Sequence, residues 1–163
     1  REHIRKFLHR CPLQNAVPII NYNDPVSYYE NRRREISLLK STETAPVECV
    51  DNDETASVIC SLVKAPVLLI LTSVYGIYKV AGDPSTLVEE ITAKNALDLK
   101  RNVNELQKAC IGASRKGAGG AFSKLEYVLA PAMSGTRVLI AHAKYNINDI
   151  LEARVPSTRI EIV

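Results

Sequence analysis

The chain has little of what metal centres, disulfide frameworks and membrane spans require. Its four cysteines are far apart and form no CxxC pair, so we interpret Cys11, Cys49, Cys60 and Cys110 as reduced, buried thiols in preference to metal ligands or disulfides. The three histidines show no metal-ligand spacing, and no metal site is predicted. No signal peptide opens the chain, and its longest apolar run is too short to span a bilayer. These absences predict a cytoplasmic protein with no membrane partner.

A strong charge of one sign is also absent. The chain has 21 basic and 18 acidic residues, which gives a net charge of +3. This mild charge slightly favours anionic ligands but is not the basic bias of a dedicated nucleic-acid binder, so no nucleic-acid partner is predicted. The basic run Arg32–Arg34 lacks interleaved aromatic residues, and we interpret it as a solvated helix face in preference to a phosphate or nucleic-acid patch.

Residues 51–78 are the most informative stretch, because they predict a helix followed directly by a buried strand. Asp51–Asp53 are short polar residues that favour a helix start, and apolar residues then recur with a spacing of three or four. Ala65–Pro66 ends this helix. The unbroken apolar run Val67–Leu71 predicts a strand buried on both faces of a parallel sheet, and Thr72–Ser73 ends that strand with two hydroxyl groups.

The remaining sequence supplies similar elements around this unit, and 163 residues with 46% hydrophobic content predict one domain with one core. Apolar runs and helical periodicity predict strands at 17–20, 47–50, 87–91, 138–141 and 160–163, and helices at 1–13, 28–40, 99–110 and 147–152. A further helix follows the glycine-rich turn at 117–124, with Leu125, Val128 and Leu129 facing inward. Pro131 is expected to end or kink its helix. Alternating strands and helices indicate an α/β three-layer sandwich with a mostly parallel central sheet.

Polar loops follow or precede several of these strands. Asn21–Asp24 follows the first predicted strand, Asp51–Asp53 precedes the central helix, and Thr72–Ser73 ends the central strand. Ligands of open α/β sheets bind beyond the carboxyl ends of strands, so these loops are candidate ligand contacts. Taken alone, Asp53 is better explained as a helix N-cap, and Asn21–Asp24 as a turn.

A glycine-rich loop at 117–120 leads into a helix with Lys124 in its first turn. Glycines let backbone N–H groups approach an anion closely, and a helix N-terminus attracts negative charge. A lysine at this end interacts unfavourably with the helix dipole, and a bound phosphate would offset that interaction. A solvated surface lysine beside a flexible loop would look the same, so both interpretations stay open. The loop is not a Walker A motif, because the spacing GxxxxGK followed by Ser or Thr is absent.

Four segments in this order resemble the glutamate 5-kinase family of the amino acid kinase superfamily. They are PIINYND at 18–24, VDNDETAS at 50–57, LLILTSVYGIY at 68–78 and KGAGGAFSKLE at 116–126. The resemblance runs from about residue 15 to about residue 143. It implies an amino acid kinase fold that is incomplete at the amino terminus, because the family's first glycine loop and second catalytic lysine have no counterpart here. No PUA domain, which some members carry, is expected.

The resemblance also implies an activity and residue roles. The reaction is ATP-dependent phosphorylation of the glutamate side-chain carboxylate, the first step of proline synthesis, with Mg²⁺ accompanying the nucleotide. Asp24 and Asn52 would bind glutamate, and Asp53 would orient the catalytic lysines. Lys124 would stabilise the transferring γ-phosphoryl group. Nucleotide contacts would come from two stretches: Thr72 and Ser73, then Ala118, Gly119, Gly120, Ala121, Phe122, Ser123 and Lys124.

Several positions depart from the family pattern and leave alternatives open. Tyr22 stands where a Glu is usual, and Ser73 and Tyr75 stand where Asp is usual, while Ala118 and Ala121–Phe122 alter the glycine segment. The chain could therefore be a degenerate homologue that binds a nucleotide or a partner without catalysis. The stretch between Asp24 and Asn52 is longer than in the family pattern, so the chain could also be a kinase for a different small acid. This chain alone is expected to be inactive, and an exposed sheet edge predicts association with another copy or with a missing segment.

Overall fold

A computed structural model describes residues 2–20, 52–110 and 120–163. The chain divides into two compact units, Arg1–Val63 and Lys64–Val163. The predicted helix at 28–40, the predicted strand at 47–50 and the loop Asn21–Asp24 lie outside the described residues. The prediction of one domain over 1–163 stays a prediction.

The described part of the first unit contains two helices that contact each other, α1 (Glu2–Leu13) and α2 (Asn52–Val63). Both confirm predicted helices. The predicted strand at 17–20 is wrong: residues 16–20 have no regular structure, and Val17 and Ile19 are 87% and 95% exposed. A strand needs a partner to hydrogen-bond, and Pro18 has no N–H to donate to one.

The second unit contains most of the regular structure. Its elements in chain order are β1 (Val67–Thr72), β2 (Ile77–Tyr78), a 3₁₀ turn (Pro84–Thr86), β3 (Leu87–Val88), β4 (Glu90–Ala93), α3 (Ala96–Ala109), α4 (Ala121–Met133), β5 (Arg137–His142), α5 (Ile147–Leu151) and β6 (Ser157–Ile162). The predicted strands and helices of this unit are therefore confirmed with bounds shifted by up to three residues, except that the predicted strand 87–91 consists of two short strands, β3 and β4. α3 begins at Ala96 and the last strand at Ser157, each three residues before its predicted start.

The main sheet has the strand order β1-β5-β6-β4. β1 pairs with β5 in parallel and β4 pairs with β6 in parallel, whereas β5 and β6 are antiparallel. Two of the three pairings are parallel, which confirms the prediction of a mostly parallel sheet. β2 and β3 form a separate two-stranded antiparallel ribbon. Because β1 and β5 run in the same direction, their carboxyl ends meet at one end of the sheet, which we call the carboxyl rim.

Helices cover both faces of this sheet. On one face, Val138 and Ile140 of β5 belong to the core cluster formed with α3 and α4, whose buried members include Leu99, Val103 and Leu125. On the other face, Leu139 and Ala141 pack with Ile150 of α5. Alternate residues of one strand thus point to opposite helical layers, as expected for extended backbone. The three-layer sandwich is confirmed.

Two local predictions need correction. Leu71 is 47% exposed, so β1 is not buried on both faces; β1 is the outermost strand of the sheet among the described residues. Pro131 does not end α4, which continues to Met133. Proline at this position forgoes the helical hydrogen bond that its N–H would have made, and its ring is buried in the core.

The start of α3 gives a first testable prediction. Asn95 is the N-cap: its side-chain oxygen accepts from the Asp98 N–H at 2.9 Å, and its side-chain nitrogen donates to the Asp98 carboxylate at 2.8 Å. We expect Asn95→Ala to lower the free energy of unfolding by about 1 kcal/mol, measured by urea denaturation. The control is Asn104→Ala, in the interior of the same helix, where alanine should not destabilise. Equal stability of wild type and Asn95→Ala would contradict the cap.

Candidate functional site

The loop after β1 begins at Thr72, at the carboxyl rim. The Thr72 hydroxyl accepts from the Val74 N–H at 2.8 Å and donates to the Val74 carbonyl at 3.0 Å, which fixes a tight turn. The Thr72 carbonyl accepts from the Ala143 N–H at 2.9 Å. This last bond joins the loop after β1 to the loop after β5, so residues from both loops lie together. Ser73 is exposed in the first of these loops.

Four side chains form one group, the rim cluster: Tyr75 from the loop after β1, His142 at the end of β5, and Lys144 and Tyr145 from the loop after β5. The Tyr75 and Tyr145 rings are stacked, with centroids 6.0 Å apart, and the His142 ring lies 5.6 Å from Tyr75. The Lys144 ammonium donates to the Tyr75 hydroxyl at 3.1 Å and lies 4.7 Å and 5.1 Å from the centres of the Tyr75 and Tyr145 rings. The cluster thus combines an exposed cation with two aromatic rings.

The hydrogen bond from Lys144 to Tyr75 also affects protonation. Acceptance by the Tyr75 hydroxyl favours the charged ammonium and raises the pKa of Lys144 above its ordinary value. The lysine therefore stays positive at all physiological pH values. Among residues 52–110 and 120–163, no carboxylate forms an ion pair with it.

Buried polar contacts hold the loop after β1 against the sheet. The Thr158 hydroxyl on β6 accepts from the Ile77 N–H at 2.8 Å and donates to the Val88 carbonyl at 2.6 Å, which fastens the β2–β3 ribbon to β6. Gly76 permits this close approach, because a Cβ there would lie 2.4 Å from the Thr158 hydroxyl oxygen. One hydroxyl therefore positions the segment that carries Tyr75.

Tyr78 connects this loop to α3. The Tyr78 hydroxyl accepts from the Tyr75 N–H at 3.0 Å, and the Cys110 thiol, which follows the last residue of α3, donates to the Tyr78 carbonyl at 3.5 Å. Burial disfavours the thiolate and raises the pKa of Cys110, so it stays a neutral thiol. Cys11, Cys60 and Cys110 are buried thiols outside any disulfide, as predicted, whereas Cys49 lies outside the described residues.

The first turn of α4 lies at the same rim. α4 is joined to the start of β5 by a short connection and packs along the sheet, so its own start lies near the strand's carboxyl end. Gly120 is the N-cap and provides no side-chain acceptor for the first-turn N–H groups. Gln107 of α3 donates to the Phe122 carbonyl at 3.1 Å, which ties α3 to this turn. The predicted nucleotide contacts from Gly120 to Lys124 are therefore at the rim where Thr72 ends β1.

The other predicted site residues are placed differently. Asn52 and Asp53 begin α2 in the first unit, so their proximity to Thr72 and Lys124 stays a prediction. Asp24, Ala118 and Gly119 lie outside the described residues. Within the described ranges, no three His, Cys, Asp or Glu side chains are grouped to hold a metal ion. Over the same ranges, none of the helices has the length and apolar content to cross a bilayer.

Sequence reasoning missed the contribution of His142, Lys144 and Tyr145. They follow the buried strand 138–141, just as Thr72–Ser73 follows 67–71. The rule that ligands collect beyond the carboxyl ends of parallel strands, applied to this second strand, would have identified them.

Comparison with known proteins agrees with this architecture. The model of the amino acid kinase family matches residues 1–142, which is most of the chain. The chain belongs to the amino acid kinase family. This amino acid kinase sequence is similar to glutamate 5-kinases from several bacteria, and the resemblance inferred from its motifs is thereby confirmed.

Three relatives illustrate the extent of that similarity. The chain is 31% identical over 127 residues to a glutamate 5-kinase of Dehalococcoides mccartyi, covering 77% of this chain and 29% of that protein. It is 30% identical over 132 residues to one of Streptococcus suis, covering 80% and 31%. It is 30% identical over 154 residues to one of Corynebacterium diphtheriae, covering 93% and 34%. The chain thus spans about a third of the length of the relatives it matches.

Proposed function

We propose that this amino acid kinase chain holds the nucleotide in an enzyme that phosphorylates the side-chain carboxylate of glutamate. The observation that carries the proposal is topological: β1 ends at Thr72, α4 begins at Ala121, and the order of elements brings both to the carboxyl rim. The names of the relatives, glutamate 5-kinases, support glutamate as the acceptor, and membership of a kinase family supports ATP as the donor. The product would be glutamyl 5-phosphate, the first intermediate of proline synthesis.

The proposed reaction is a phosphoryl transfer from ATP. A carboxylate oxygen of glutamate forms a bond to the γ-phosphorus, the bond from that phosphorus to the β–γ bridging oxygen breaks, and ADP leaves. Catalysis of this step depends on positioning and on positive charge near the transferring oxygens. First-turn N–H groups of α4 and the Lys124 ammonium supply such donors.

The other roles follow the family resemblance and remain part of the proposal. Asp24 and Asn52 bind the acceptor acid, and Asp53 orients the lysines. Magnesium fits this chain as an ion bound mainly by the nucleotide's phosphates and water, since one or two protein carboxylates suffice for such sites. When bound, it neutralises phosphate charge.

The decisive assay is turnover of the full-length protein with ATP and a panel of small acids, followed by release of ADP. We expect phosphorylation of glutamate above that of aspartate, N-acetylglutamate or carbamate. Turnover with another acid alone would assign a different acceptor. Binding of ATP without turnover of any acid would contradict the proposed enzymatic activity.

Tyr75 favours one alternative, a degenerate kinase homologue that binds a nucleotide or a partner without catalysis. The resemblance predicts a carboxylate at this position, whereas the tyrosine instead contacts Lys144 at 3.1 Å. Ser73, which stands where the family usually has Asp, also favours this alternative, because a hydroxyl binds magnesium more weakly than a carboxylate. Measurable ATP affinity with no turnover is the result that this alternative requires.

We also propose that the protein is cytoplasmic, where glutamate and ATP are abundant, and that it is a homo-oligomer. β1 is outermost in the described sheet and its Leu71 is 47% exposed, so this strand edge is suited to a further strand or chain. Light scattering of the full-length protein should give a mass of at least a dimer. A monodisperse monomer at micromolar concentration would contradict this expectation.

A further inference from the structure

We propose that Lys144 contacts the phosphate groups of the bound nucleotide, and that Tyr75 and Tyr145 hold its ammonium group ready for that contact. The inference rests on the proposed function, because it assumes that a nucleotide binds at the carboxyl rim. It adds a second cation to Lys124 and makes the rim cluster a positioning element for the polyphosphate.

The position of Lys144 is fixed at both its backbone and its side chain. Its N–H donates to His142 Nδ1 at 3.1 Å, and its ammonium donates to the Tyr75 hydroxyl at the same distance. Two aromatic rings also lie beneath the ammonium, with centroids 4.7 Å and 5.1 Å away. A lysine held in this way loses less side-chain entropy on binding than a freely rotating one.

The charge of Lys144 is not neutralised by any carboxylate within the described ranges. Three arginines of the same unit have acidic partners: Arg101 pairs with Asp98, Arg154 with Asp149 and Glu152, and Arg159 with Glu90 and Glu161. Lys144 differs from them because its neighbours are neutral rings and a hydroxyl. An exposed, preorganised cation without an acidic partner is suited to an external anion.

Tyr75 adds a second donor beside the ammonium. Its hydroxyl oxygen accepts from Lys144, so its own hydrogen remains to be donated. An oxyanion placed there can accept from both groups. The Ala143 N–H bond to the Thr72 carbonyl places this pair of donors next to the loop that ends β1. The donors therefore lie at the rim where α/β folds bind their ligands.

The opposing explanation is that the cluster only fastens two loops together. In that case, removal of Lys144 would lower thermal stability and leave ligand affinities unchanged. A second alternative is that Lys144 binds the carboxylate of the acceptor acid. The measurements must therefore distinguish the binding of polyphosphate, of the nucleoside and of the acid.

The test uses the full-length protein and titration calorimetry with ATP, inorganic tripolyphosphate and adenosine. We expect Lys144→Ala to weaken ATP and tripolyphosphate about tenfold, as for loss of one hydrogen bond to a charged group, and to leave adenosine unchanged. Lys144→Arg should restore most of the affinity, and Tyr75→Asp should weaken tripolyphosphate by neutralising the lysine. The matched control is Lys100→Ala, an exposed lysine of α3, which should bind like wild type.

The results have distinct meanings. Unchanged tripolyphosphate affinity in Lys144→Ala, with ATP still bound, would overturn the inference and leave the proposed function intact. A raised KM for the acid with unaltered ATP binding would also overturn it, because it would assign Lys144 to the acceptor. Failure of the wild type to bind either ATP or tripolyphosphate would reject the proposed function and the inference together. Melting temperatures verify that the variants fold, as expected for the exposed side chain of Lys144.

Discussion

Replacing Lys124 with alanine is expected to lower kcat of the full-length enzyme by about 10²- to 10³-fold, the loss typical of one removed charge-stabilising donor. Lys124 lies in the first turn of α4, where its N–H donates to the Gly120 carbonyl at 3.1 Å. Its ammonium would oppose the negative charge that spreads over the transferring phosphoryl group. KM for ATP should change much less than kcat if the contact strengthens in the transition state.

The matched control for this prediction is Lys108→Ala, a lysine in the last turn of α3 that is exposed. It changes the net charge by the same amount, so an effect of overall charge would appear in both variants. A kcat for Lys124→Ala within a factor of three of wild type would remove this lysine from the mechanism. A large rise in KM with unaltered kcat would assign it to ground-state binding.

The largest expected effect on stability comes from Thr158→Val. Valine keeps the shape of the side chain but leaves the Ile77 N–H and the Val88 carbonyl without the hydroxyl that now satisfies both. Each unsatisfied buried backbone group costs about 1–3 kcal/mol, so the free energy of unfolding should fall by about 2–6 kcal/mol. Urea or thermal denaturation measures this difference. Because total stabilities are commonly about 5–15 kcal/mol, the melting temperature should fall by many degrees.

Thr92→Val on β4 is the control for that substitution, since Thr92 is partly exposed and lies on a strand of the same sheet. It should leave stability within about 0.5 kcal/mol of wild type. Thr158→Ser keeps the hydroxyl, and its free energy of unfolding should fall less than that of Thr158→Val. Similar losses in all three variants would show that the two hydrogen bonds of Thr158 do not carry the effect.

The fold was predictable from the sequence where a segment has a strong periodicity of apolar residues. The helix at 52–63 and the strand at 67–72 follow from apolar spacing and from Pro66 between them. The predicted strand at 17–20 failed because four apolar or neutral residues do not specify a pairing partner. Strand formation depends on a neighbour that the local sequence does not encode.

The candidate site was predictable only in part, for a similar reason. Thr72 stands out because it ends a predicted strand, and Lys124 because it lies in the first turn of a predicted helix. The contact of Tyr75 with Lys144 joins residues 69 positions apart and arises from the parallel pairing of β1 with β5. Thr158 has a polar side chain and is nevertheless fully buried. The residues around it in the sequence do not predict this burial.

Hydrogen exchange of the full-length protein with and without ATP tests most directly whether a nucleotide binds at the carboxyl rim. We predict slower exchange at the first turn of α4, residues 121–124, and in the loop after β1, residues 73–76. Exchange in the Pro84–Thr86 turn should stay the same. Slowing confined to other parts of the chain, with residues 73–76 and 121–124 unaffected at saturating ATP, would contradict a nucleotide site at this rim.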